Sequence, residues 1–144
     1  MKKFLKRIVA LVMAVSIASC FLCASAALES SRYLSSYSVT VTAKSTARII
    51  VNVDVDATDY MDEVGATSIT IYRSADGVDF EPVRTYYSED YPQLVGSGRY
   101  FDEDVITYYG IPGYYYCADA FVYAADETGS DSRYVMSNDV QAFS

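Results

Sequence analysis

Beyond residue 36, apolar and polar residues alternate with a period of two over most of the chain, the pattern of strands with one buried face. Tyr37, Val39, Val41 and Ala43 alternate with Ser38, Thr40 and Thr42, and Ile49, Val51, Val53 and Val55 alternate with Arg48, Ile50, Asn52 and Asp54. The next apolar run, residues 68–73, leads through Ser74-Ala75-Asp76-Gly77 into residues 80–87, and Asp-Gly between two strand-like runs predicts a hairpin. Residues 88–99 carry Ser, Gly, Pro and charge and read as a loop; a short strand follows at 100–107, then a turn at Ile111-Pro112-Gly113. In the sixth segment, residues 114–125, Tyr114, Tyr116, Ala118, Ala120 and Val122 share one face and Tyr115, Cys117, Asp119, Phe121 and Tyr123 the other. Residues 126–131 read as a charged turn and residues 134–143 as the last strand. About seven short strands with turn signals between them, and no stretch of helical period, predict an all-β antiparallel sandwich.

The first residues have a different pattern. Lys2, Lys3, Lys6 and Arg7 precede an apolar run over residues 8–23, and Ala24-Ser25-Ala26 supplies a small-x-small cleavage site. This is the composition of a secretory signal, so residues 1–26 are expected to be removed and the protein to be secreted, beginning at Ala27. Ile17-Ala18-Ser19-Cys20 also resembles the lipobox of bacterial lipoproteins. The alternative is therefore acylation of Cys20, which would tether the protein to a membrane at the cell surface. Residues 27–35 read as a flexible lead-in, and residues 36–144 as the one domain.

Removing 26 of the 144 residues leaves 118, enough for one core without disulfides. Four of the eleven basic residues and none of the nineteen acidic ones fall in the signal, so the remainder has seven against nineteen, a formal charge of −12. That balance disfavours nucleic acid and anionic membrane surfaces as partners, because both need a basic footprint. Histidine is absent and Cys117 is the one cysteine after the cleavage site, which excludes Ser-His-Asp and Cys-His nucleophiles and His- or all-Cys zinc sites. The strict alternation of a strand places Cys117 on the outer face, opposite Tyr114, Tyr116, Ala118 and Ala120. There its thiol is expected at the surface, able to pair only with a second molecule.

Asp54, Asp56 and Asp59, with Asp62 and Glu63 beyond them, offer closely spaced hard oxygen ligands of the type calcium takes, though not at the spacing of an EF-hand loop. No other cofactor is implied. A carboxylate pair working as acid and base would make the protein a hydrolase, but short loops leave little cleft, and the expectation is a non-enzymatic protein.

Residues 66–142 resemble fibronectin type III modules of the immunoglobulin-like class. The resemblance rests on Ile69-Thr70-Ile71-Tyr72-Arg73-Ser74 with Asp76-Gly77, on Phe101-Asp102-Glu103-Asp104-Val105, on Pro112-Gly113-Tyr114-Tyr115-Tyr116-Cys117-Ala118-Asp119-Ala120, and on Ser137-Asn138-Asp139-Val140. The tryptophan usual on the family's second strand is missing, and no Arg-Gly-Asp stands in the loop after Asp126, so integrin-type adhesion is not implied. The resemblance implies that Tyr114, or Tyr116 if the strand is shifted, forms a tyrosine corner whose hydroxyl bonds back to nearby backbone. Some surface domains of this class join a first-strand lysine to a last-strand asparagine by an isopeptide bond; Lys44 and Asn138 are the only such pairing here, and the alternation turns Lys44 outward. Fifteen tyrosines, all beyond the signal, suit contacts with protein or sugar. The expected function is a monomeric extracellular binding or adhesion module for a protein or glycan, with a structural or accessory lipoprotein as the alternative. A coplanar row of exposed tyrosines would favour glycan.

Overall fold

The computed structural model describes residues Ser31–Ser144. The expected export signal with both candidate cleavage positions, including Cys20, and the first part of the lead-in lie outside the described residues. Seven strands form: β1 (Leu34–Lys44), β2 (Arg48–Ser74), β3 (Glu81–Tyr87), β4 (Val95–Tyr109), β5 (Tyr115–Asp126), β6 (Gly129–Met136) and β7 (Val140–Gln141), with one 3-10 turn at Pro92–Leu94. Every pairing is antiparallel. The protein is all-β, as the alternation predicts.

The organising element is β2, which the sequence pattern divides into two strands. Its first half lies between β1 and β4, pairing Val53 with Val39 on one side and with Glu103 on the other. Its second half lies between β3 and β5, pairing Thr70 with Thr85 and Asp119. The halves join through residues 57–66, where the register against β4 shifts twice. Acidic residues in this stretch suggest a loop, yet Ala57, Met61, Val64 and Ala66 still reach the core, so the backbone stays extended and bends at bulges. Hydrogen bonding thus runs unbroken through one curled sheet, β1-β2-β5-β6, with β3 and β4 added on β2 and β7 on β5.

One face of every strand enters a single hydrophobic cluster. Ile49, Val51, Val53 and Val55 meet Val39, Val41, Phe101 and Ile106, while Ile69 and Ile71 meet Ala118, Ala120 and Val122. Each fully buried valine or isoleucine stabilises the fold by about 1.5–3 kcal/mol relative to an exposed one. Among the expected inward positions Tyr37, in the first half of β1, is exposed, and Ala43 and Tyr114 are half-buried.

Other boundaries also differ from those the sequence suggests, and the expected last strand over residues 134–143 is split between the end of β6 and β7. β4 starts at Val95 inside the presumed loop, because Gly96 and Gly98 continue the ladder opposite Val64 and Met61. β6 starts at Gly129, leaving a turn of two residues after Asp126. The Asp-Gly hairpin is wide, since Arg73 already pairs with Glu81 and Asp76 folds the loop by accepting the N–H groups of Val78 and Asp79 at 2.9 and 3.0 Å. Those bonds hold the Asp76 carboxyl down at about 2. The lead-in is tied down where it is described: Leu34 is buried in the core, and the Tyr33 carbonyl accepts the Thr58 N–H at 3.0 Å.

Asn138 has a structural role at the break between β6 and β7. Its amide accepts the Val41 N–H at 3.0 Å and donates to the Val41 carbonyl at 2.9 Å, pairing both backbone groups of Val41 on the open edge of β1. Beside it, the Ser137 hydroxyl accepts the Ala118 N–H at 2.8 Å in place of a ladder carbonyl. Lys44 is exposed at the end of β1, opposite Arg48, and Asn138 is engaged with Val41 instead. Replacing Asn138 by alanine is expected to cost about 1–2 kcal/mol, two hydrogen bonds to a buried residue's backbone, and by aspartate more, since a carboxylate repels the carbonyl. Urea midpoints of the two variants check this; equal midpoints for the wild type and Asn138→Ala would remove the clamp.

Candidate functional site

Period two gives β5 a second face, and that face is where the chain's polar chemistry collects. Tyr87, Ser68, Phe121 and Tyr134 form one transverse row across β3, β2, β5 and β6. The next row is Thr85, Thr70, Asp119 and Met136, and Tyr72 with Cys117 follows. At about 4.8 Å per strand, the first row spans about 14 Å. Tyr87, Phe121, Tyr134 and Met136 are all exposed, and the Phe121 and Tyr134 rings lie 5.4 Å apart at 61°.

Asp119 sits in the middle of this surface and is only 7 % exposed. Its Oδ2 accepts two phenols from diagonal positions, Tyr72 at 2.8 Å and Tyr134 at 3.0 Å. The hydrogen bond to Asp119, then burial, then the carboxylate's charge push the Tyr72 phenol up to about 12. Burial and the same carboxylate raise Tyr134. No hydrogen bond reaches Oδ1 from the described residues. Since no fully buried side-chain oxygen among them lacks a partner, Oδ1 opens at the surface. Neither of the two ion pairs among the described residues involves Asp119.

Cys117 corrects one expectation. It lies on the outer face, as the alternation requires, but it is 6 % exposed and buried, not a surface thiol. Its cross-strand partner is Tyr72, whose hydroxyl bonds on to Asp119, so the tyrosine lies over this part of the sheet. Burial, with the charges of Asp139 and Asp119, pushes the thiol up to about 11.

Beside the aromatic row lies an open depression of about 590 Å³, lined by Glu63, Thr67, Ser88, Glu89, Pro92, Val95 and Tyr123. Its floor is continuous with the row, since Thr67 donates to the Phe121 carbonyl at 3.3 Å and the Ser88 N–H to the Thr67 carbonyl at 2.9 Å.

The remaining expected residues are placed as follows. Tyr116 is fully buried and its hydroxyl accepts the Ile111 N–H at 2.8 Å; Tyr114 is half-buried beside Arg73, 5.5 Å from ring centre to guanidinium carbon. Asp54 and Asp56 lie on the outer face of β2, Asp54 opposite Asp102 and Asp56 holding the Ser36 hydroxyl at 3.1 Å. Asp59 lies within the bend of β2 and accepts its neighbour's N–H at 2.8 Å. The calcium expectation is not carried forward: among the described residues no three acidic side chains gather at metal-ligand spacing. Burial, then Asp102 and Asp56, raise the Asp54 carboxyl.

Sequence reasoning assigns no role to Asp119, Tyr72, Phe121 or Tyr134. One signal for them exists, an aspartate in the middle of a strand apolar on both faces. No family model matches the chain, and no curated protein or solved structure is significantly similar to it.

Proposed function

We propose that the chain is an exported, non-enzymatic binding module with an immunoglobulin-like, fibronectin type III-like sandwich, and that it engages a protein partner through the outer face of β2, β5 and β6. The secretory composition of residues 1–26 supports export. The grouping of β1 and β4 around the first half of β2 and of β3, β5, β6 and β7 around the second, and the Tyr116 hydroxyl bonded back to Ile111, support the sandwich.

The observation that carries the function is the group of Phe121, Tyr134 and Met136, exposed as neighbours on one sheet face with Tyr87 exposed in the same row across Ser68. Aromatic residues and methionine are the types enriched where proteins meet, and contiguous exposed apolar patches mark such surfaces. The 61° angle between Phe121 and Tyr134 favours protein over glycan, since stacking on sugar faces needs rings in one plane. The domain's methionines allow a direct test. Met61 is fully buried and Met136 exposed, so photo-methionine incorporated into the exported protein reports on Met136. Cross-linking on the producing cells is expected to give a protein adduct at Met136, reduced at least about tenfold by Phe121→Ser with Tyr87→Ser. A carbohydrate adduct, or a yield indifferent to those two changes, would overturn the reading.

A further inference from the structure

We infer that Asp119 is the anchor of this docking face and receives a guanidinium or ammonium group from the partner, an inference that rests on the face being a protein interface. A carboxylate has about four lone-pair sites and only accepts. In Asp119 two hydroxyls saturate Oδ2, while Oδ1 accepts nothing from the described residues and opens at the surface. Oδ1 is therefore an unengaged carboxylate acceptor at the surface of a rigidly held side chain, and a cationic N–H donor makes the stronger, charge-assisted hydrogen bond to such an oxygen. Among the described residues no cation pairs with it, and their two ion pairs lie elsewhere.

The surroundings fit a cation delivered from outside. Tyr72 and Tyr134 hold the carboxylate rigidly, so no side-chain entropy is lost when a donor arrives. Phe121, Tyr134 and Met136 stand around it as an apolar rim, the arrangement in which a central charged pair is shielded from water and discriminates strongly between partners. The exposed rings also attract a cation over their faces. With seven basic residues against nineteen acidic ones after the signal, the chain as a whole attracts a basic partner before contact.

The test uses the exported protein with two probes of one shape, phenethylguanidinium and the neutral phenethylurea, titrated while backbone resonances are followed. The guanidinium is expected to shift residues 72, 117–121 and 134–136 and to bind at least about tenfold more tightly than the urea. That preference should vanish in Asp119→Asn, where the amide oxygen still accepts both phenols but the charge is gone. Should that variant fail to fold, Met136→Lys serves instead: it places an ammonium directly opposite Asp119 in the cross-strand pair and should occupy the acceptor, again abolishing the preference. Equal binding of the two probes, or a preference that survives Asp119→Asn, overturns the anchor. If cross-linking at Met136 persists in that case, the docking face stands without it. Concentration-dependent shifts of the same resonances in the absence of probe would assign the face to a second copy of the chain and overturn the inference.

Discussion

Truncating Tyr116 to alanine is expected to destabilise the fold by about 3–5 kcal/mol, and removing only its hydroxyl, in Tyr116→Phe, by about 1–2 kcal/mol. The larger figure follows from burial. Tyr116 is the largest fully buried side chain of the described residues, its ring 5.8 Å from that of Tyr108, and its loss would leave a cavity in a sheet that cannot close over it. The smaller figure follows from one hydrogen bond, the Ile111 N–H at 2.8 Å, which closes the connection between β4 and β5. Phenylalanine leaves that N–H without its partner, so the change costs more than a neutral hydrogen bond gains. The packing is tight on the backbone side too: a Cβ on Gly110 would lie 2.7 Å from Cζ of Tyr116, so Gly110→Ala should lower stability through the same contact. Urea unfolding of the three variants gives the test. A Tyr116→Phe midpoint equal to wild type would show that the hydroxyl closes nothing.

The position of Tyr116 shows what the sequence makes legible. Its face on β5 follows from alternation alone, as do Ala118, Ala120 and Val122, because a period of two leaves no freedom once one side of a strand is buried. The same logic places Ile49 to Val55 correctly. Alternation fails where an element depends on what it meets. Residues 57–66 are polar enough to resemble a loop, and only Met61 and Val64 finding core partners keeps β2 continuous. Gly96 and Gly98 look like loop residues and pair as strand, because bulged neighbours on β2 accept them.

The candidate site is legible in the same partial way. Period two assigns Cys117, Asp119 and Phe121 to the outer face, and they are there. What it cannot give is the cover over that face, which comes from residues far along the chain: Tyr72 from β2 and Tyr134 from β6 both lean onto Asp119. Burial on an outer face is a property of neighbours on other strands, so a pattern read along one strand misses it. Asp54, Asp56 and Asp59 are close in sequence but do not gather at metal-ligand spacing among the described residues: Asp54 and Asp56 follow one another along the outer face of β2, and Asp59 lies in its bend.

Cys117 is expected to resist thiol reagents in the native protein and to react freely once the fold is opened. At pH 8 a thiol with an ordinary value of 9 is about 10 % thiolate, while one raised to about 11 is about 0.1 %, so chemistry alone slows labelling about a hundredfold before burial is counted. The same shift makes stability depend on pH. The folded thiol holds its proton to about 11 and the unfolded one releases it near 9, so between those values the unfolded state has bound fewer protons and stability falls as pH rises. Tyr72, raised from 10 to about 12, extends the fall upward. Burial and the negative charges of Asp139 and Asp119 all disfavour the thiolate. Cys117→Ala removes the thiol's share, so its urea midpoint should drop less than that of wild type between pH 8 and pH 10.5. Labelling the wild type with a maleimide at pH 8, with and without urea, reads the first effect directly. Native labelling as fast as in urea would mean that Tyr72 does not stand over the thiol, and with it the covered carboxylate on this face would be lost.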